Sequence, residues 1–520
     1  MARVLLSHPV LLVSGLYLLS NLTGFAARLL INMRFGAGAE QDALRAAFVV
    51  PDLLFNVLAG GALASAFIPT YVARLSHDQR AHARRLALAT AALLFVVVGT
   101  CAALAGLAAP WLVREVVARA FDESQVARTA ALMRLLLVGT TIFGVSGLMM
   151  GVLQSNQRFL APALAPSLYQ LGLIVGALVF ADHAGIEGVA WGAVLGALLH
   201  FGVQLPDAIR VMRLPRDVAD PPSFAALRAD LQQIVALMPP RMMGLGAVQI
   251  NNVVNTTLAS STLGGVSAFN NAFAILVLPI AAIGQAVGTV LFPTISAHLA
   301  RDERAHFATA FNRALGQVIA LSVPAATGLM VIGEPIIRLL FERGAFDARA
   351  TAWVAFALSW LALGLPAHAA LELVTRAFYA MKDSLRPALA AVFSVAVNIL
   401  LSIVLFTGFA QWGLSPIGGL GLANALATIG ETALLYRLLV KREPHLRATR
   451  WQRTLLKSAA AALGMALALK AWTHFFGEEA LAVVTAIALG TALYFAVLLS
   501  LRAREAQRAL YVLRAWWRAR

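Results

Sequence analysis

Long apolar segments follow one another along the whole chain, and they constrain the fold more than any other feature. A helix needs about 20 mainly apolar residues to cross a bilayer. Only 13% of the 520 residues are charged, against about 25% in soluble domains. We therefore predict an all-α polytopic membrane protein with fourteen transmembrane helices and no water-soluble catalytic domain. The predicted spans are 9–34, 42–72, 86–110, 130–153, 160–181, 187–206, 232–258, 265–297, 311–332, 351–380, 386–408, 415–437, 454–474 and 479–501.

The positive charges predict the orientation. With the N-terminus inside, 28 of the 41 lysine and arginine residues fall on the inner side, six on the outer side and seven within spans. Because cytoplasmic loops are enriched in lysine and arginine, both termini are expected in the cytoplasm. The cytoplasmic loops and the basic C-terminal tail are expected to contact anionic lipids, so the net charge of +16 indicates no nucleic-acid partner. The single cysteine, Cys101, allows no intrachain disulfide.

The chain repeats itself at an offset of about 225 residues. Pro69-Thr70 matches Pro293-Thr294, and Asp122 matches Asp347 within an Ala-Phe-Asp motif. The Leu-x-Pro-Ala-Leu motif that begins at residue 160 returns at residue 385. We predict two six-helix lobes in parallel repeat, 1–225 and 226–445, which is an architecture of transporters. Residues 446–520 then hold two additional helices and the basic tail.

Ionisable side chains within the spans are the candidate binding residues. Such residues are costly in a membrane and usually face a cavity or a partner. Arg28, Arg241 and Arg376 come from both halves and are candidates to bind an anion, because guanidinium groups match phosphate oxygens. A structural ion pair or an interfacial position is the alternative for each, and it is favoured for Arg34, Arg45 and Arg376. The other charged candidates are Asp42 and Asp52.

Helix breakers recur within the spans, at Pro51, Gly60-Gly61, Pro239-Pro240, Pro279 and Pro366 among others. Proline removes a backbone hydrogen bond and bends a helix, which a membrane tolerates next to a cavity or a neighbouring helix. The breakers predict either bent helices around a cavity or close packing of small residues.

Polar side chains at helical spacing suggest a second site. Asn398 and Ser402 are four residues apart, as are Asn424 and Thr428, so their oxygens are candidates for a monovalent cation. Interhelical hydrogen bonds are the favoured alternative, because no carboxylate is evident in this set. There is no His-Glu-x-x-His, Walker A or Gly-x-Ser-x-Gly motif, so no metal, no cofactor and no enzyme activity are expected.

Several motifs, in the same order along the chain, resemble the MurJ (MviN) family of lipid II flippases. The resemblance covers roughly residues 10–440. The motifs are Gly24-Phe25, Phe35-Gly36-Ala37-Gly38, Asp42-Ala43, Pro51-x-Leu53-Leu54, Gly61-Ala62, Gln249-Ile250, Asn255-Thr256, Gly288-Thr289, Leu340-Phe341, Phe378-Tyr379 and Asp383.

This resemblance implies a fold of the multidrug/oligosaccharidyl-lipid/polysaccharide exporter class. It further implies a monomer in the bacterial cytoplasmic membrane that flips undecaprenyl-pyrophosphate-linked lipid II by alternating access. The driving force would be the membrane potential or a Na⁺ or H⁺ gradient, and spans 13 and 14 would form a groove for the prenyl tail. The chain departs from the family where Asn21, Ala27, Phe55, Gly60 and Ala274 replace charged residues. Asn21 remains a candidate contact by its position.

Three other functions stay open from the sequence. The first is export of another lipid-linked oligosaccharide, or of a drug by cation antiport, within the same superfamily. The second is a polytopic enzyme such as a lipid-linked sugar transferase. The third is a family member that binds the precursor without transporting it, which the missing cavity charges suggest.

Overall fold

The computed structural model describes residues 8–59, 61–76, 79–213, 224–447 and 451–508. Every regular element within these ranges is a helix, which confirms the all-α fold class. Nine helices in this part of the chain are long and apolar enough to cross a membrane, and one pair bent by 48° makes a tenth. The number of fourteen spans stays a prediction.

The first helices run from α1 to α12. They are α1 His8–Phe35, α2 Ala39–Leu54, α3 Gly61–Ser76, α4 Arg80–Leu107, α5 Ala109–Leu112, α6 Glu123–Ser155, α7 Leu160–Val175, α8 Ala181–Ala184, α9 Ile186–Gly202, α10 Leu205–Met212, α11 Phe224–Leu237 and α12 Pro239–Ala259. The later helices are α13 Gly265–Pro279, α14 Ala286–Ala300, α15 Arg304–Val331, α16 Gly333–Phe341, α17 Ala348–Ala362, α18 Leu365–Ala380, α19 Leu385–Gln411, α20 Pro416–Arg442, α21 Trp451–Phe476 and α22 Ala480–Ser500.

The chain divides into two compact units. Unit 1 comprises Met1–Val266 with Arg343–Phe346, and unit 2 comprises Ser267–Glu342 with Asp347–Arg520. Helices α11 and α12 therefore pack in unit 1, although the repeat assigns them to the second half. One contact of α12 within unit 1 joins residues 141 positions apart: the Thr257 hydroxyl donates to the carbonyl of Val116 at 2.6 Å. The predicted lobe boundary at residue 225 comes from the sequence repeat. The two compact units do not test this boundary, which stays a prediction.

Elements of the two units recur at the spacing of the repeat. A π-helical turn at Phe55–Ala59 after α2 corresponds to one at Ile280–Gln285 after α13. Helices α4 and α15 are each 28 residues long. Asp122 and Asp347 each accept a backbone hydrogen bond at the start of a helix, from Gln125 N and Ala350 N at 2.8 Å. The matched sequence positions thus have matched structural roles.

The predicted breakers coincide with irregular helix geometry. The π-helical turns follow Pro51 and Pro279, α12 begins at Pro239, and the 48° bend between α17 and α18 lies beside Pro366. The bend beside Pro366 agrees with the prediction of bent helices, and the turns after Pro51 and Pro279 are irregular, as expected where proline interrupts the backbone hydrogen bonds.

Glycines allow α7 and α9 to approach at backbone contact in unit 1. A Cβ atom on Gly172 would lie 2.4 Å from the Cα of Gly196, and one on Gly176 would lie 2.8 Å from the Cα of Gly192. Small residues commonly allow helices to pack this closely within membranes. This contact fixes α7, which carries one wall of the cavity described below.

In unit 2, the two C-terminal helices share a core with α15. Met465 on α21 and Tyr494 on α22 are buried in one hydrophobic cluster. The Tyr494 hydroxyl donates to the carbonyl of Ala320 on α15 at 2.9 Å, so this buried phenol is satisfied. The additional helices are therefore attached to the side of α15.

Candidate functional site

A charged cluster in unit 1 brings together residues from three helices. Arg28 lies on α1, Arg45 and Asp52 lie on α2, and Tyr169 lies on α7. Arg45 and Asp52 are seven residues apart, which places them on one side of their helix. The guanidinium of Arg45 interacts electrostatically with Arg28, with the Asp52 carboxylate and with the Tyr169 phenol. The cluster thus combines two cations, one carboxylate and one hydroxyl.

A cavity of about 220 Å³ opens beside this cluster. Asp52 and Tyr169 line it, and Phe143 forms an aromatic wall with ring centroids 4.8 Å from Tyr169 and 5.7 Å from Phe55. A cavity of this size is smaller than typical ligand pockets of about 300–1,000 Å³. Its lining is mainly apolar and aromatic, with the Asp52 carboxylate, the Thr140 hydroxyl and the Tyr169 phenol as its polar groups.

Arg45 is incompletely satisfied within the described structure. Its Nε atom is buried and donates no hydrogen bond to any described residue. A buried donor without an acceptor is costly, and an anion supplies acceptors that match a guanidinium group. Arg45 is therefore a stronger anion-binding candidate in the structure than in the sequence, which favoured its structural alternative.

Two other candidates in unit 1 have structural partners. Arg34 forms an ion pair with Asp182 and donates from Nη1 to the carbonyl of Ala177 at 3.1 Å. Asp42 is fully buried, and its Oδ2 accepts from Gly264 N at 2.7 Å. Arg34 thus shows the structural alternative that the sequence favoured, and Asp42 stabilises a turn. A role of either residue in substrate binding stays a prediction.

Asn21 and Arg241 are the remaining candidates in unit 1. Asn21 has an exposed side chain on α1. The side chain of Arg241 lies outside the described residues, so its place relative to Arg28 stays a prediction.

Arg376 in unit 2 is bound by its own helix. Its Nη1 donates to Glu372 Oε2 at 2.5 Å and to the Glu372 carbonyl at 2.8 Å. The guanidinium also passes close over Gly288, where an added Cβ would lie 2.7 Å from Nη1. These contacts correspond to the structural ion pair that the sequence favoured for Arg376, and its contact with substrate stays a prediction.

Two of the three candidate cation ligands meet around a histidine. His368 Nε2 lies 3.0 Å from Asn424 Oδ1 and 3.3 Å from Thr428 Oγ1. Asn398 Oδ1 instead accepts from the Ser402 hydroxyl at 3.3 Å. These contacts are the interhelical and local hydrogen bonds of the alternative interpretation. A cation at this place stays a prediction.

Sequence reasoning missed Tyr169 and Glu431. Glu431 follows Thr428 by three residues on α20 and lies near the Ser394 side chain on α19, whose hydroxyl donates to the Ala427 carbonyl at 3.3 Å. Glu431 is thus a carboxylate close in sequence to this polar set that the sequence analysis did not single out. The available signal was an acidic residue at helical spacing within an apolar segment. Tyr169 gave a weaker signal, because tyrosines are also common at membrane interfaces.

A sequence model of the family described as "Lipid II flippase MurJ" matches residues 31–491. A "Probable lipid II flippase MurJ" of Rhizobium meliloti (strain 1021) is 30% identical over 509 residues, with 93% of this chain and 92% of that protein covered. A "Lipid II flippase MurJ" of Burkholderia cenocepacia is 30% identical over 473 residues and covers 89% of each chain.

Solved structures show the same fold. The structure described as "Lipid II flippase MurJ, inward closed conformation" matches with a TM-score of 0.79 at 22% identity, covering 94% of this chain and 98% of that chain. An inward-facing multidrug resistance MATE transporter of the MOP superfamily matches with a TM-score of 0.68 at 16% identity, covering 84% and 96%. The family match extends over most of the sequence and includes α2 and α7, which carry Arg45, Asp52 and Tyr169. The chain therefore belongs to the MurJ family of lipid II flippases.

Proposed function

We propose that this chain moves lipid II, the undecaprenyl-pyrophosphate-linked peptidoglycan precursor, across the bacterial cytoplasmic membrane by alternating access for cell wall synthesis. The observation that carries this proposal is the family match over residues 31–491, together with relatives named as lipid II flippases that align over nearly their full length. These relatives favour lipid II over another lipid-linked oligosaccharide or a drug. The proposed activity is transport of the lipid, with no covalent bond formed or broken.

The charged cluster supplies the chemistry for the pyrophosphate. Arg28 and Arg45 are close enough to repel each other, so an anion between the two guanidinium groups would stabilise both charges. Arg28 and Arg45 would bind phosphate oxygens, with Arg241 as a further candidate. Asp52 compensates part of the positive charge before substrate enters. The aromatic wall of Phe143 and Tyr169 would contact the sugar part of the substrate.

The membrane potential is the proposed driving force. The cell interior is negative, so outward movement of a negative charge releases about 2.3 kcal/mol per charge for each 100 mV. A Na⁺ or H⁺ gradient acting through Asn398, Asn424 and Thr428 is the other proposed source. Glu431, three residues after Thr428, is the carboxylate nearest to that set in the sequence. No cofactor is part of the proposal.

The protein is proposed to be a monomer with both termini in the cytoplasm, whose loops and C-terminal tail contact anionic lipids. Helices α21 and α22 are proposed to form the groove for the prenyl tail. Their exposed leucines, which include Leu463 and Leu467 on α21, support this role because they offer apolar surface to a hydrocarbon chain.

Complementation tests the proposal. Cells depleted of their own lipid II flippase should grow when they express this chain. Arg28→Ala and Arg45→Ala should each reduce growth at equal protein level. Arg134→Ala is the matched control, since Arg134 is a span arginine outside the cluster that donates to the Gly106 carbonyl at 3.0 Å. Failure of the unchanged chain to restore growth would contradict the lipid II assignment.

A further inference from the structure

A second and larger cavity lies entirely within unit 2, at one end of three helices. It has a volume of about 560 Å³ and is bounded by the first turns of α15 and α21 and by the turn that follows α22. In the proposed orientation all three ends face the cytoplasm, at the level of the lipid headgroups. We call it the basic pocket. Its polar lining residues include Asn312, Arg313, Arg453, Thr454, Lys457 and Glu505.

The basic pocket holds an excess of positive charge. Six arginine and lysine side chains line it, against the single carboxylate of Glu505. That carboxylate accepts from the Thr454 hydroxyl at 3.0 Å, and Lys457 Nζ donates to the Leu501 carbonyl at 2.7 Å. In the part of the chain that the structure describes, neither Arg313 nor Arg453 forms an ion pair. Neighbouring cations repel one another unless an anion compensates them.

We propose that the basic pocket binds the headgroup of an anionic phospholipid of the inner leaflet whose headgroup carries hydroxyl groups, as that of phosphatidylglycerol does. Basic pockets between transmembrane helices on the cytoplasmic side suit phosphate headgroups. The volume lies in the range of sites for small organic ligands, about 300–1,000 Å³, and exceeds the size of one phosphate ion.

The hydroxyl requirement comes from two acceptors in the same pocket. Asn312 Oδ1 is buried and accepts no hydrogen bond from the described protein groups. The Glu505 carboxylate is a second acceptor, close enough to α15 that a Cβ on Gly316 would lie 2.7 Å from it. Phosphate oxygens cannot donate to these acceptors, whereas glycerol hydroxyls can. The pocket thus offers donors for a phosphate and acceptors for a polyol.

Apolar surface beside the pocket indicates that the ligand is a lipid and not a soluble phosphate. Leu456, one residue before Lys457 on α21, is 71% exposed, and Leu501 at the end of α22 is 39% exposed. Acyl chains would cover these side chains while the headgroup occupies the pocket. The charged cluster of unit 1 is a separate site, so this inference does not depend on the transport of lipid II.

Native mass spectrometry of the full-length protein, titrated in detergent with phosphatidylglycerol, measures the affinity of the first bound lipid. The test variant is R313Q/R453Q, which removes two charges that have no carboxylate partner in the described structure. The matched control is R84Q/R85Q, which removes two exposed arginines of α4 in unit 1. The conservative variant R313K/R453K keeps the charge, and N312L removes the buried acceptor.

The affinity of R313Q/R453Q should fall about tenfold or more, because it loses charge-assisted hydrogen bonds. R84Q/R85Q should stay within about twofold of the unchanged protein, and R313K/R453K should retain most of the binding. The unchanged protein should prefer phosphatidylglycerol to phosphatidate severalfold, and N312L should reduce that preference. Equal losses in test and control variants would overturn the proposal. Displacement of the lipid by inorganic phosphate at equal concentration would also overturn it, since the site would then be one for free phosphate.

Discussion

Replacing Asp230 by asparagine removes the charge at the centre of an ion-pair cluster in unit 1. Asp230 on α11 is 4% exposed. Arg74 on α3 donates to it from Nε at 2.8 Å and from Nη2 at 2.6 Å, and His82 Nε2 on α4 lies 2.8 Å from its Oδ2. The cluster connects α11 to the consecutive helices α3 and α4, and Arg74 precedes Asp230 by 156 positions, so loss of the charge should release α11 from α3 and α4.

The structure sets the expected magnitude. Breaking a fully buried ion pair costs about 3–5 kcal/mol, and a hydrogen bond to a charged group contributes about 1.5–3 kcal/mol. The side chain of Arg74 is 30% exposed, which reduces the effect through solvent screening. We expect a loss of about 2–3 kcal/mol, which corresponds to hydrogen exchange in α11 that is about 30–150-fold faster.

The pH dependence follows from the same contacts. Burial alone would raise the pKa of Asp230, but the hydrogen bonds and charge of Arg74 outweigh it and hold the pKa below its ordinary value. A lowered pKa means that the pair stabilises the fold above the ordinary aspartate value of about 3.9 and loses this effect as the pH falls through the lowered value. The difference between the unchanged protein and Asp230→Asn should therefore persist from neutral pH down to about pH 4.

The assay is hydrogen exchange with mass spectrometry on the purified full chain. The matched control is Asp207→Asn, because Asp207 pairs at 3.5 Å with an Arg210 that is 73% exposed. That pair contributes at most about 1 kcal/mol, so exchange should change less than about fivefold. Unchanged protection of α11 in Asp230→Asn, or equal changes in both variants, would refute the reasoning.

Three further predictions concern packing, capping and the cavity. Gly196→Leu should destabilise the α7–α9 contact by more than about 3 kcal/mol, because even a Cβ would lie 2.5 Å from the carbonyl of Tyr169. Gly202→Leu is the control, since a Cβ there meets open space. Thermal unfolding measures the stability of both variants. Asp122→Ala and Asp347→Ala should each cost about 1 kcal/mol of stability as lost helix caps, and an unchanged melting temperature in both would contradict this. Tyr169→Phe keeps the aromatic contact with Phe143 and removes the hydroxyl, so lipid II transport should fall about two- to tenfold at unchanged thermal stability.

Much of the fold could be predicted because it depends on local and periodic features. The apolar runs predicted the helices, and Pro51 and Pro279 predicted the irregular turns that follow them. The repeat predicted that Asp122 and Asp347 have equivalent positions, and each of them caps a helix. These properties need only short stretches of sequence or a comparison of the two halves.

The partners of the charged residues could not be predicted in the same way. Arg34 pairs with Asp182, 148 positions away, and nothing local in either segment indicates the other. Arg376, in contrast, pairs with Glu372 four residues earlier, which helical spacing alone permits. The site could therefore be located only when the fold placed Arg45 near Arg28, Asp52 and Tyr169. The fold also placed Arg34 in an ion pair with Asp182.

Translocation of lipid II into reconstituted vesicles tests the central claim most directly. The purified chain is placed in vesicles that carry labelled lipid II, and an enzyme outside the vesicles detects the molecules that reach the outer leaflet. Translocation by the unchanged chain should exceed that in protein-free vesicles. The translocation rate should fall at least about tenfold in Arg28→Ala and in Arg45→Ala, because each variant loses a charge-assisted contact. Arg134→Ala should retain its activity. Translocation equal to protein-free vesicles, or full activity in both cluster variants, would contradict the central claim.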